Sequence, residues 1–181
     1  MTAFTLHAPD GGCHYFENAD PSLFCPKCES YIGKEPYYPK SMDVRKPKYD
    51  FFACYDGRRL ISEKAKIFLE KLKVEGLEFK RVNESPQFFL PVCYNIVEFD
   101  VEKRKTRFEK LCSQCGNYQY IVGATPAFLK NIKAVQADSW YRTDIEFGSG
   151  KAKKSLTIVG EKLKKTLEKE FKEIDFEAVR E

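Results

Sequence analysis

The side chains best spaced for chemistry are cysteines. Cys25-Pro-Lys-Cys28 and Cys112-Ser-Gln-Cys115-Gly116 each present two sulfurs separated by two residues. Such a pair can wrap one side of a metal ion, and a structural zinc takes four ligands in a tetrahedron at S–Zn distances of ~2.3 Å. One pair is half a site. Cys25, Cys28, Cys112 and Cys115 make a complete set if the fold brings together two pairs with 83 residues between them, and the spacing leaves open whether they share one ion. A local alternative has Cys13 and His14 completing a site with Cys25 and Cys28, which strands the second pair two ligands short. Cys54 and Cys93 lie in aromatic or apolar strand-like runs and read as small buried hydrophobes.

Other chemistries find less support. Cys-Pro-Lys-Cys resembles the dithiol loop of thioredoxin-like oxidoreductases, whose first cysteine is activated at a helix N-terminus. Here Glu29, Ser30, Tyr31, Ile32 and Gly33 follow, which reads as a turn rather than the opening of a helix. Gly148-Ser149-Gly150-Lys151 invites a phosphate-loop reading, but Ile145 and Ala152 stand where glycine and Ser or Thr are required, so an ordinary loop with solvated lysines is expected. His7 and His14 are the only histidines, and neither is arranged to activate a nucleophile. Carboxylates interleave with lysines as on solvated helix faces. The expectation is a non-enzyme.

The cysteines must be positioned by short elements. The first 50 residues carry turn signals at Pro9 to Gly12, Pro21, Gly33 and Pro36 and suit brief strands. A strand is expected over 51–55, then a helix over 62–73 with Ser62 as N-cap and Ala65, Phe68, Leu69 and Leu72 on one face. Gly76 ends it, and a strand over 77–82 follows. Strand-like composition resumes over 88–100 and 106–111, and 118–122 returns from the second cysteine pair, the layout of a zinc knuckle or ribbon. Beyond lie a short helical candidate over 126–132, strands about 144–147 and 156–159, a helix over 161–171 and a strand over 174–179. Residues 61–82 align with 159–179 with one gap, matching Glu63 with Glu161, Leu69 with Leu167, Phe79 with Phe176 and Val82 with Val179. Two Lys/Glu-rich amphipathic helices alone explain such a match as well as a duplication does. The fold class expected is α+β, zinc-stabilised, with mostly antiparallel sheets and two amphipathic helices. The chain reads as one domain over 1–181, with two related β-α-β halves of about 1–85 and 86–181 as the finer division.

With 31 basic and 27 acidic residues interleaved, the net charge of +4 permits nucleic acid without arguing for it. The start has no secretory pattern, and no apolar run reaches the roughly 18 to 20 residues that span a bilayer, so no membrane partner and a cytoplasmic location are expected. Seven cysteines in that reducing compartment favour thiolate chemistry and burial over disulfides.

A cysteine pair, a helix–strand unit, a second pair followed by glycine, the segment Trp140-Tyr141-Arg142-Thr143-Asp144 and a final helix–strand unit follow one another in that order. This order resembles the double-CxxCG family of myxobacterial paralogues and related immunity proteins of bacterial toxin systems. It spans nearly the whole chain, with Glu29 standing where the first motif would have glycine. The resemblance implies an antitoxin-like protein that binds a cognate protein toxin inside the cell, with structural zinc on Cys25, Cys28, Cys112 and Cys115 and no catalytic residues. No toxin-contacting residue or oligomeric state is assigned. The alternative is a zinc-ribbon protein binding nucleic acid through the basic stretch from Lys151 to Lys172, which Glu161, Glu168 and Glu170 interrupt.

Overall fold

The computed structural model describes residues 2–44, 48–84 and 87–181. In chain order the elements are β1 (Ala3–His7), β2 (Phe51–Ala53), β3 (Arg59–Ser62), α1 (Glu63–Lys71), β4 (Leu77–Glu84), β5 (Gln87–Cys93), β6 (Ile96–Val97) and α2 (Val101–Arg104). They continue with β7 (Arg107–Leu111), β8 (Tyr118–Val122), β9 (Trp140–Ser149), β10 (Lys154–Gly160), α3 (Glu161–Glu170) and β11 (Asp175–Ala178). The fold is α+β. One sheet runs β11-β1-β10-β9-β8-β7 with β6 paired beside β9, and the other runs β2-β3-β5-β4. The pairs are antiparallel except β6 with β9.

The two helix–strand units occupy equivalent places, and each takes its central strand from the other half. β5 lies between β3 and β4, while β1 lies between β10 and β11. Phe89 pairs with Ile61 and Arg81, and Phe4 pairs with Val159 and Ala178. On the far side Phe51 faces Ile61 as Trp140 faces Val159. These registers coincide with the alignment of 61–82 over 159–179.

Alternation along the strands divides the core. Phe51, Ile61, Phe89, Trp140 and Val159 point into one cluster with Ala65 and Leu69 of α1 and Leu163 and Leu167 of α3, so both helices share a core. Phe171 joins them through edge contacts with Phe51 and Phe68 at 4.9 and 5.3 Å between ring centres. Their neighbours Phe52, Leu60 and Phe88 face a second cluster with Tyr15 and Phe16, and Ile158 faces a third with Phe99 and Phe147. Full burial of each such side chain is worth ~1.5–3 kcal/mol. Ser62 caps α1 by accepting the Ala65 amide, as its type predicts. Leu72, expected on the buried face, is the C-cap residue and is exposed.

The helix expected over 126–132 does not form. The backbone of Ala127 to Lys130 is spent on partners far away in sequence: Arg180 N–H donates to Ala127 O, Asp100 N–H to Phe128 O and Lys130 N–H to Glu98 O. One 3-10 turn follows at Ile132–Ala134. The strand expected over 144–147 begins earlier and runs ten residues, because β9 is shared by β10, β8 and β6. Among the described residues no helix is long and apolar enough to cross a membrane.

Candidate metal centre

Each cysteine pair sits at the tip of a tight backbone knuckle. In the first, Phe24 bridges to Tyr31, the Cys25 amide donates to Ser30 O at 2.9 Å and the Glu29 amide returns to Cys25 O at 2.8 Å. The second, between β7 and β8, repeats this: Leu111 pairs with Tyr118, Cys112 N–H donates to Asn117 O and Gly116 N–H to Cys112 O, both at 2.9 Å. The turn demands a left-handed residue after the second cysteine. Gly116 takes it at φ 74°, where glycine is unstrained, and Glu29 takes it at φ 58° without that freedom.

The two tips face each other. Cys25 Sγ lies 3.8 Å from Cys112 Sγ and Cys28 Sγ 3.5 Å from Cys115 Sγ, and all four sulfurs fall within 4.8 Å of one another. A regular tetrahedron of sulfurs around zinc has edges of ~3.8 Å, given bonds of ~2.3 Å. The quartet therefore fits a four-coordinate ion. Cys25, Cys28 and Cys112 are buried and Cys115 is partly exposed. Among the described residues this is the one group of three or more metal-ligating side chains that converges so closely.

The surroundings favour the thiolate at Cys28 and Cys112 and oppose it at Cys115. Burial opposes ionisation of Cys28, but the Ser30 hydroxyl and amide hydrogen-bond its sulfur and neighbouring Cys115 and Cys112 add to them, holding the thiol at about 6. Backbone amides of Cys115 and Gln114 lower Cys112 as well. At Cys115 the Asn117 amide pulls down, yet burial and the sulfurs of Cys28 and Cys25 push the thiol up to about 11. Four negative charges cannot gather here without a cation, and a bound metal supplies one.

Lys153 was not foreseen. It is buried, and its ammonium donates to Ser30 Oγ at 2.9 Å and to Tyr118 O at 2.7 Å, one group from each knuckle. Cys28 Sγ lies 3.3 Å from the same Ser30 Oγ, donating to it as a thiol and accepting from its hydroxyl once ionised. A positive charge is thus placed beside the thiolates through one hydroxyl. The loop over 148–151, expected to stand in solvent, turns this lysine inward. Gly150 packs against the first knuckle, where an added Cβ would lie 3.2 Å from that of Glu29. No local sequence signal marks Lys153, which lies far along the chain from both pairs.

Cys13 and His14 do not reach the quartet. Cys13 is buried with its sulfur 2.8 Å from Cys54 Sγ, inside the Tyr15 and Phe16 cluster, and the His14 ring rests on Tyr55. Cys54 and Cys93 are buried as expected, the latter against Trp140 O. Trp140 is in the core. The chain matches no protein-family model, no curated protein and no solved structure.

Proposed function

We propose that the chain is an antitoxin-like immunity protein of the double-CxxCG kind, acting in the bacterial cytoplasm by binding a cognate protein toxin stoichiometrically rather than by catalysis. One zinc ion on Cys25, Cys28, Cys112 and Cys115 serves as its structural cross-link. The observation that carries this reading is a site supplied by four protein sulfurs, with no position reserved for substrate, in the turn of a hairpin with exposed apolar side chains. β7 is the outer strand of its sheet, and Phe108, Leu111, Tyr118 and Val122 on β7 and β8 are exposed, Leu111 by 62 %. An edge strand with uncovered apolar side chains suits a protein partner, and a metal knuckle at its tip holds it rigid without ordering cost at binding. The left-handed turn at Glu29 supports the kinship, since it has the conformation that the motif's glycine serves. Lysines of α3 pair with acids, Lys164 with Glu168, Lys165 with Glu161 and Lys162 with Asp138, which weighs against the nucleic-acid alternative.

The test is co-expression with the product encoded beside the gene. Growth should be rescued, and the two proteins should copurify one to one. Leu111→Asp should weaken the complex ~30-fold or more while leaving zinc content and thermal midpoint unchanged, because an exposed anchor contributes to binding and little to folding. Rescue that persists when the proteins cannot associate, or a neighbouring product that is harmless alone, overturns the assignment.

A further inference from the structure

A cavity of about 270 Å³ opens at the seam between the sheets, well apart from the hairpin in sequence and lined from β3, β5, β9 and β10. Its wall includes Arg58, Arg59, Arg142 and Lys154 and no carboxylate. The partners these cations do have are neutral. Arg58 donates to Lys153 O at 2.8 Å, and Arg142 donates through Nε to Cys93 O at 3.1 Å. Arg59 donates to Leu6 O at 2.7 Å and to Thr157 Oγ1, and its buried Nε has no partner. Neither these three arginines nor Lys154 takes part in an ion pair among the described residues. The carboxylate of the adjoining turn, Asp56, is buried and accepts the amides of Tyr15 and Phe16 at 2.9 and 2.7 Å.

Like charges held together without counter-charge are costly, and burial adds to that cost. Burial lowers Lys154 first, with Arg59 and Arg58 adding to it, and burial brings Arg59 down to about 10. Gly57 makes room for this crowding: it turns at φ 85°, and a Cβ there would meet Ala152 O at 2.6 Å and Lys154 Cδ at 3.2 Å. The aromatic part of the wall adjoins the cations, with the Arg58 guanidinium 5.2 Å from the centre of the Phe16 ring, and is already ordered. Phe16 stacks on Tyr31 with ring centres 5.9 Å apart and meets Tyr37 at 5.8 Å, while Tyr15 anchors Tyr37 through a 2.7 Å hydrogen bond to its carbonyl. A concave site with a few convergent polar groups against an aromatic wall is the usual form of a small-molecule pocket.

We propose that this cleft binds a small organic anion, with a phosphate or carboxylate head among Lys154, Arg142, Arg58 and Arg59 and a flat apolar body against Phe16, Tyr31 and Tyr37. Guanidinium forks match both heads in bidentate fashion, and an incoming anion neutralises charges that the protein leaves unpaired. The cleft shares Tyr31 with the first knuckle but uses neither the four sulfurs nor the exposed face of the hairpin, so it stands or falls separately from the immunity reading.

Calorimetric titration of the full zinc-loaded chain at low ionic strength tests it, using phenyl phosphate, benzoate, inorganic phosphate and neutral benzyl alcohol. Phenyl phosphate or benzoate should bind one to one, ~10-fold or more tighter than benzyl alcohol and than inorganic phosphate, and should weaken as salt rises. The tighter of the two identifies the head group. Lys154→Met, which breaks no hydrogen bond, should weaken that ligand ~10-fold or more and leave the thermal midpoint equal or higher, since it relieves repulsion. Lys162→Met, on an exposed ion pair, should leave affinity unchanged. No saturable binding of either organic anion below ~1 mM, a scale set by ordinary weak-ligand affinities, overturns the proposal. So does equal affinity for benzyl alcohol or inorganic phosphate, or an affinity in Lys154→Met that matches Lys162→Met.

Discussion

Replacing Cys112 by serine removes one sulfur of the quartet and leaves Cys25 without its neighbour 3.8 Å away. A metal on the quartet would close a loop with 83 residues between Cys28 and Cys112. The chain-entropy relation for a cross-link puts the closure of a loop this long at ~4.5 kcal/mol. Three sulfurs and a water retain part of it, so Cys112→Ser should lose ~2–4 kcal/mol, a large share of the ~5–15 kcal/mol typical of a domain. Helices α1 and α3 and the core they share do not touch the site, so the variant should keep its far-UV spectrum in the absence of denaturant. Urea unfolding under reducing conditions, with zinc counted by a colorimetric chelator, measures both quantities. Wild type should hold one zinc, and a chelator should bring its midpoint to or below that of Cys112→Ser while moving the variant by less, because the variant has already lost most of the same cross-link. Cys93→Ala, outside the quartet, should keep the full zinc content. A Cys112→Ser protein with wild-type midpoint, or a metal-free wild type that unfolds where the loaded protein does, refutes the reasoning.

Acid should release the metal: Cys28 is depressed to about 6, so its thiolate and the stability it brings are present above the ordinary thiol range and lost as pH falls through about 6, which a chelator dye reads between pH 8 and 5. Glu29→Gly should leave zinc content intact and stabilise by up to ~1 kcal/mol in urea, relieving a non-glycine φ of 58°, while Gly116→Ala at φ 74° should cost ~1 kcal/mol. Residues 1–85 and 86–181 expressed separately should each fail to fold, since β1 and β5 are central strands of the opposite sheets, and co-expressed they should form a one-to-one complex with zinc, seen by size exclusion and circular dichroism. A stably folded fragment, or no complex, would count against the exchange as the organising contact.

Patterns closed within a few residues were legible from the chain alone. The cysteine spacing, the Ser62 cap, the period of α1 and the strand tracts of β7 and β11 each arise from contacts between near neighbours, which residue type and period dictate, whereas β3 carried no such signal. The α+β class follows from those elements. Convergence of the two pairs was only an arithmetic possibility, because nothing local in Cys25 to Cys28 points to a partner beyond residue 110. The tertiary structure decided it by bringing two knuckles tip to tip. It also set β1 and β5 in each other's halves, a choice governed by sheet registers distant in sequence. Residues 126–132 lost their helix for the same reason, since backbone groups free to close a helix found bridges to Phe99 and Arg180 instead. Lys153 and the four cations of the cleft are invisible to pattern reading because a lysine or arginine looks solvated in any window. Burial against a distant knuckle, or beside other cations without a carboxylate, is a property of the assembled surface.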